Sequence, residues 1–222
     1  MKLFITTKNL DYIRNTQEIE LLTKECGGCR PDIIASSAGK YPARMAHVIR
    51  KLITCRVSAY DEIFVGFAPQ LIIPFFEGKF RRYRNDGGKV TIDFFISVYD
   101  TLVNDRKKIK KGSVPASVAA WLDKRTISLA DNVVVDTKAH GEYFIENFGL
   151  SRDKMQVLYL EADKSVYYPH TVKRAEEDAD KRIILYFASM LPLQGVETVL
   201  EAAKLMNCLL YTSPSPRDTE RS

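Results

Sequence analysis

His140 directly follows a buried strand, which makes it the most chemically suggestive residue of the chain. It comes after the apolar run Asn132-Val133-Val134-Val135, at the start of a helical segment, with Thr137 three residues before it. In open α/β sheets ligands gather outside the carboxyl ends of the strands, so polar side chains at this position face a binding cleft. Asp100 ends the most strand-like run, residues 90–98, and reads as a second carboxyl-edge residue; the competing reading is a turn or N-cap aspartate. A third group, Ser189, Gln194 and Gly195, lies in a strand-to-helix loop ahead of Val196. Backbone amides that open a helix can face a phosphate, and glycine permits close approach, although a plain turn has the same spacing.

Other candidate features have blander readings. Cys26-Gly27-Gly28-Cys29 has the spacing of zinc and redox sites, but no second CxxC or His pair follows, so a turn with two free thiols is expected. His47 falls among Arg44, Arg50 and Lys51 on a helical stretch and reads as solvated, and His170 as exposed. Residues 75–84 interleave Phe75, Phe76, Phe80 and Tyr83 with Lys79, Arg81, Arg82 and Arg84. Such a face suits an anionic membrane surface, or simply packs its rings inward while the cations stay wet. The run Lys107-Lys108-Ile109-Lys110-Lys111 reads as a solvated loop. No P-loop, GxGxxG, GxSxG or HExxH occurs, and no RNA-binding signature accompanies the charge, so no nucleic-acid partner is expected.

These residues need a scaffold, and the chain spells one out. Apolar, β-branched runs at 2–7, 31–36, 61–66, 90–98, 132–135 and 155–160 alternate with helical segments at 17–24, 42–50, 115–129 and 138–148, the last closed by Gly149. In the third of these helices, 115–129, Val118, Trp121, Leu122 and Leu129 recur at helical spacing. Continuous apolar strands between helices imply a doubly wound parallel sheet, covered on both faces. Residues 170–182 are charged and without apolar periodicity, as in a linker, and 183–187 then open a new strand followed by a helix at 196–206.

Composition agrees with an ordinary globular α/β protein. The 222 residues are 45% hydrophobic and 27% charged, and 33 Lys and Arg against 28 Asp and Glu leave a net charge of +5. That excess favours anionic partners without requiring nucleic acid. The longest apolar stretch, residues 63–76, is broken by Gly66, Pro69, Gln70 and Pro74 and is no membrane span. Four cysteines make no disulfide framework, so a reducing cytoplasm is the expected compartment.

Three stretches carry a family resemblance. Residues 129–140, LADNVVVDTKAH, are similar to "ADxVxxxTxAH". Residues 148–157, FGLSRDKMQV, leading to Tyr168-Pro169, are similar to "fGipxxKvxVixxGxDxxxFxP", and RIILYFASMLPLQGVETVLEAAKLM from Arg182 to "ilfxGxxxPxxGvexxleAakll". Their order and spacing resemble the retaining glycosyltransferases of the two-domain GT-B class, in particular the family-4 group. Residues 1–100 match only in fold pattern. The resemblance implies transfer of a sugar from a nucleoside diphosphate to a glycan or lipid-linked acceptor, as in the building of cell-surface polymers. It implies no metal and no cofactor beyond the nucleotide sugar. It also places Asp100, Thr137 and His140 on the acceptor or cleft side, and Ser189, Gln194 and Gly195 at the donor phosphates. Four departures stand out. Thr6-Thr7-Lys8-Asn9-Leu10 replaces a Gly-rich turn, and Tyr99-Asp100 replaces a His-Asp pair. Leu160-Glu161-Ala162-Asp163 replaces "NGVD", and Ser189 and Gln194 stand where donor-phosphate cations usually lie. The alternative is a non-catalytic α/β module that binds a sugar or nucleotide.

The expected organisation is an acceptor-side domain over 1–169, a linker over 170–182, and the first βα unit of a truncated nucleotide-sugar domain over 183–207. Residues 208–218, CLLYTSPSPRD, resemble letter for letter a translated sequencing adaptor, so 208–222 is expected to be non-native. The 222-residue chain itself is expected to be inactive, because half of the donor site would be missing.

Overall fold

The computed structural model describes residues 1–37, 39–162, 165–169, 184–186 and 194–206. Two compact units divide at Tyr167, one spanning Met1–Tyr167 and the other Tyr168–Ser222. The first unit is a doubly wound α/β domain. Six strands, β1 (Lys2–Ile5), β2 (Asp32–Ile34), β3 (Glu62–Val65), β4 (Lys89–Asp93), β5 (Asn132–Val135) and β6 (Met155–Val157), form one sheet in the order β2-β1-β3-β4-β5-β6. Every pairing is parallel, with Phe4 beside Phe64 and Val134 beside Asp93 and Gln156. Parallel strands need crossovers, and helices α1 (Ile13–Glu25), α2 (Tyr41–Thr54), α3 (Glu77–Asn85), α4 (Val114–Ser128) and α5 (Lys138–Phe148) supply them.

The two faces of the sheet are covered differently. Leu3, Ile5, Ile63, Val65, Val90, Ile92, Val133 and Val135 alternate onto one face and pack with Val48, Leu52, Phe80, Ile127, Phe144 and Phe148 from α2, α3, α4 and α5. Phe4, Phe64 and Val134 point the other way, onto Ile19 and Leu22 of α1. Local chemistry fixes the helix ends. Ser113 caps α4 by accepting from the Ala116 N–H at 3.4 Å, and a proline sits in the first turn, where no donor is needed. Gly149 closes α5 in the left-handed conformation, φ 75°, as its position in the sequence suggests.

Two expectations need correction. β4 ends at Asp93, not at residue 98, so Asp100 does not terminate a strand. It opens a wide helical turn, Asp100–Asp105, seven residues further on. The cause is Asp123 on α4, which is fully buried. Its carboxylate accepts from the Val98 N–H at 3.0 Å, the Tyr99 N–H at 2.9 Å, the Ser97 hydroxyl at 2.7 Å and the Gln70 amide at 3.1 Å. Phe94 still donates to the Val134 carbonyl, but the donors of Val98 and Tyr99 are held by a side chain and cannot pair with a strand. The second correction concerns α4 itself, which buries Ala116, Ala119, Asp123, Thr126 and Ile127. Val118 and Trp121 lie on the opposite side, 51% and 55% exposed. The polar demand of the Ser97–Tyr99 turn and the small alanines choose the inward face over the larger side chains.

In the second unit, helix α6 (Val196–Leu205) follows Gly195, whose φ is 67°. Residues 184–186 are not in a strand, unlike the strand expected at 183–187, whose ends lie outside the described residues. The expected linker at 170–182 and tail at 208–222 also lie outside them.

Candidate functional site

The β5–α5 corner is built by three consecutive kinds of contact. Thr137 leaves the strand with extended backbone and caps α5, its hydroxyl accepting from the His140 N–H at 3.2 Å. Asp136 Oδ1 lies 2.8 Å from His140 Nδ1. The imidazole stacks on Phe144, ring centres 5.3 Å apart and planes 26° from parallel. In the neutral tautomer that donates Nδ1–H to Asp136, Nε2 is left as an acceptor, and among the described residues it has no partner. The His140 side chain is 49% exposed and that of Asp136 29%, so the pair is open to a ligand. Sequence reading found Thr137 and His140 but missed Asp136. The available signal was an acidic residue one turn ahead of the histidine across a helix cap.

Asp100 joins the same helix from the β4 side. Its Oδ1 accepts from the Tyr143 hydroxyl at 2.7 Å and the Asn104 amide at 2.6 Å, and its N–H donates to Ser97 Oγ at 3.0 Å. Burial and this bond to Asp100 push the Tyr143 phenol up to about 12. Tyr143 lies three residues after His140, so Asp100 is tied to the helix that presents the histidine. As placed, Asp100 holds a tyrosine. Asp123, which anchors the preceding turn, has its carboxyl lifted by burial while its hydrogen bonds pull the other way.

A second polar cluster sits where the strand order reverses, between β1 and β3, the place where doubly wound sheets open a crevice. Sequence reading passed over it. Thr7 accepts from the Tyr41 hydroxyl at 3.1 Å and donates to the Phe67 carbonyl at 3.0 Å. Asn15 donates to the Asn9 carbonyl at 2.7 Å and accepts from Thr6. Beneath them Arg14, 2% exposed, grips Asp93 through Nε at 2.8 Å and Nη2 at 2.7 Å, and its Nη1 donates to the Leu158 carbonyl at 2.9 Å. Glu18, one turn along α1, is fully buried and its carboxyl oxygens accept no hydrogen bond among the described residues. Burial, then the charge of Asp93, raise its carboxyl well above the ordinary range, with Arg14 opposing. Gly66 completes this packing, since a Cβ there would lie 3.0 Å from both Glu18 Oε2 and Phe4 Cζ.

The remaining candidates divide between structural service and solvent. On α3, Lys79 donates to the Leu52 and Ile53 carbonyls at the end of α2. Arg84 clamps Asp131 with both ends of its guanidinium, and Arg81 pairs with Glu77 at 2.7 Å. Of these four cations Arg82 is left exposed and without an ion pair among the described residues, and Phe75 of the same segment is 70% exposed. His47 is exposed on α2. Cys26, Cys29 and Cys55 are free thiols, and the CxxC segment forms the turn that ends α1, with Gly27 and Gly28 at positive φ. Among the described residues no three His, Cys, Asp or Glu side chains are grouped to hold a metal, and no helix is long and apolar enough to cross a membrane. In the second unit the Gln194 carbonyl accepts from the Tyr186 hydroxyl at 2.8 Å, and Gly195 starts α6. Ser189 and His170 lie outside the described residues.

The first unit is thus an open parallel α/β domain with two polar centres along its carboxyl edge. No family model matches the chain, and no curated protein matches it.

Proposed function

We propose that the chain is the acceptor-side domain, with the start of the donor domain, of a retaining sugar-transfer enzyme that uses nucleoside-diphosphate sugars. The observation that carries this reading is the Asp136–His140 pair at the carboxyl end of β5, held by the Thr137 cap. It lies within the stretch that most resembles family-4 glycosyltransferases. An imidazole oriented by a carboxylate accepts a hydrogen bond from a sugar hydroxyl at Nε2, which fixes the hydroxyl for reaction. No side-chain nucleophile is required, because stabilising the departing diphosphate supplies the main electrostatic gain. The backbone amides after Gly195, with Ser189 and Gln194 nearby in sequence, are the proposed donor-phosphate contacts. A glycan or lipid-linked glycan is the proposed acceptor, and Arg82 with Phe75 the point of any contact with an anionic membrane.

The test is sugar transfer by the complete gene product from a panel of nucleoside-diphosphate sugars. His140→Ala is expected to lower kcat/KM more than tenfold, and Asp136→Asn less, since the ring is retained. Wild-type kinetics in His140→Ala would remove the assignment. A second reading is favoured by one observation: Gln194 stands where a phosphate-binding cation would be expected. In that case the protein closes on a sugar or nucleotide without turnover, and ligand would protect it against heat or protease while no product forms.

A further inference from the structure

At the β1–β3 switch point, where doubly wound sheets open a crevice, stands a cation that no carboxylate among the described residues neutralises. Lys8 Nζ lies 5.6 Å from the centre of the Tyr12 ring and 5.2 Å from that of Phe67. Tyr12 and Phe67 meet edge to face at 5.8 Å, and Phe95 continues the row at 6.1 Å. All three rings are partly exposed, and they stand after β1, β3 and β4, so they form an aromatic ledge along the carboxyl edge. Lys8 makes no ion pair among the described residues. A second cation comes from α2: Arg44 bonds Asn9 Oδ1, one residue after Lys8, and lies over the Tyr41 ring, 5.5 Å from its centre. Arg44 Nε is shut off from water with no acceptor among the described residues. Arg14, by contrast, is fully engaged with Asp93 and Leu158.

We infer that this crevice binds a saccharide bearing an anionic group, a carboxylate or a phosphate, with Lys8 as its counter-charge and the Tyr12–Phe67 ledge against the sugar ring. An ammonium held over ring faces is desolvated on one side, so an arriving anion gains more from it than from a fully hydrated lysine. Sugar rings present apolar C–H edges to aromatic surfaces, which explains three rings at a polar crevice. The word saccharide rests on the sugar-transfer reading, while the anion preference rests on Lys8 and Arg44 alone.

Calorimetric titration of the 222-residue protein with three probes tests this: a glucuronate-containing disaccharide, glucose 1-phosphate and a neutral glucose disaccharide. At least one anionic probe is expected to bind tenfold or more tightly than the neutral one, and whichever does so names the source of the charge. Lys8→Met should abolish that preference, and Phe67→Leu should weaken all binding, each with the wild-type circular-dichroism spectrum and melting curve. Equal binding of the neutral disaccharide, or an unchanged preference in Lys8→Met, overturns the inference and leaves the sugar-transfer reading standing. Inorganic phosphate or acetate binding as tightly as the sugars overturns the saccharide half. Binding of none of the probes also overturns it, and the His140→Ala transfer assay then decides separately whether the sugar-transfer reading survives.

Discussion

Replacing Glu18 by glutamine should make the protein more stable at neutral pH and should flatten its pH dependence. Glu18 is fully buried, with no hydrogen bond to either oxygen and the Asp93 carboxylate nearby, so its carboxyl is raised well above the ordinary range. Between the unfolded pKa, about 4.3, and the higher folded value, the folded chain holds a proton that the unfolded chain has released. Stability from this group is therefore complete below the unfolded pKa and is lost as pH rises toward the folded one. The loss approaches about 1.4 kcal/mol per pH unit wherever the folded chain keeps the proton and the unfolded chain has released it. Glutamine has nearly the same shape and stays neutral, so it removes the titration while keeping the packing. Urea unfolding from pH 4.5 to 8, followed by circular dichroism and by Trp121 on α4, gives the two curves to compare. Wild type should lose stability relative to Glu18→Gln as pH rises through the window, by at most about 1.4 kcal/mol per pH unit, and its melting temperature should fall with it. Parallel curves would refute the reasoning and mean that Glu18 is ionised in the fold.

Three further outcomes are expected. Asp123→Asn puts an amide donor against two backbone N–H groups and a hydroxyl, so stability should fall by about 2–4 kcal/mol, and amide exchange at Val98 and Tyr99 should accelerate. Arg14→Met leaves Asp93 buried and unpaired, a loss of about 3–5 kcal/mol that should appear in urea titration, together with faster proteolysis near Leu158, which loses its partner. Gly66→Ala should cost about 1–3 kcal/mol in thermal unfolding, because the added methyl meets the fully buried Phe4 and Glu18.

The sheet was legible because its four inner strands are short, largely apolar runs buried on both sides, and Gly149 and the proline after Tyr41 marked helix ends in the expected way. The end of β4 was not legible. Nothing in residues 94–98 reports that an aspartate some 25 positions later will take the backbone donors of Val98 and Tyr99. The inward face of α4 was hidden for the same reason, since Val118 and Trp121 look like core side chains until Asp123 is seen to need the interior. The candidate site was half legible: Thr137 and His140 stood after a clear strand, but Asp136, between that strand and the helix, carried no signal of its own. Arg14 and Glu18 were missed because a charged pair one turn apart reads as a solvated surface. Only the topology, which brings Asp93 and Leu158 to α1, shows that they are interior.

The guanidinium of Arg14 has a consequence for how the chain is made. Its partners are Asp93, 79 residues later, and Leu158, 144 residues later. At the usual pace of synthesis, 144 residues take about 7–30 s. For that time the first helix carries a charge with nowhere dry to go, so β1 and α1 cannot close onto a finished core as they emerge. Such wide sequence separation makes for slow, all-together folding. The nascent domain must therefore wait, open and partly apolar, until its sixth strand arrives. That interval, more than the finished fold, is when it would need a chaperone.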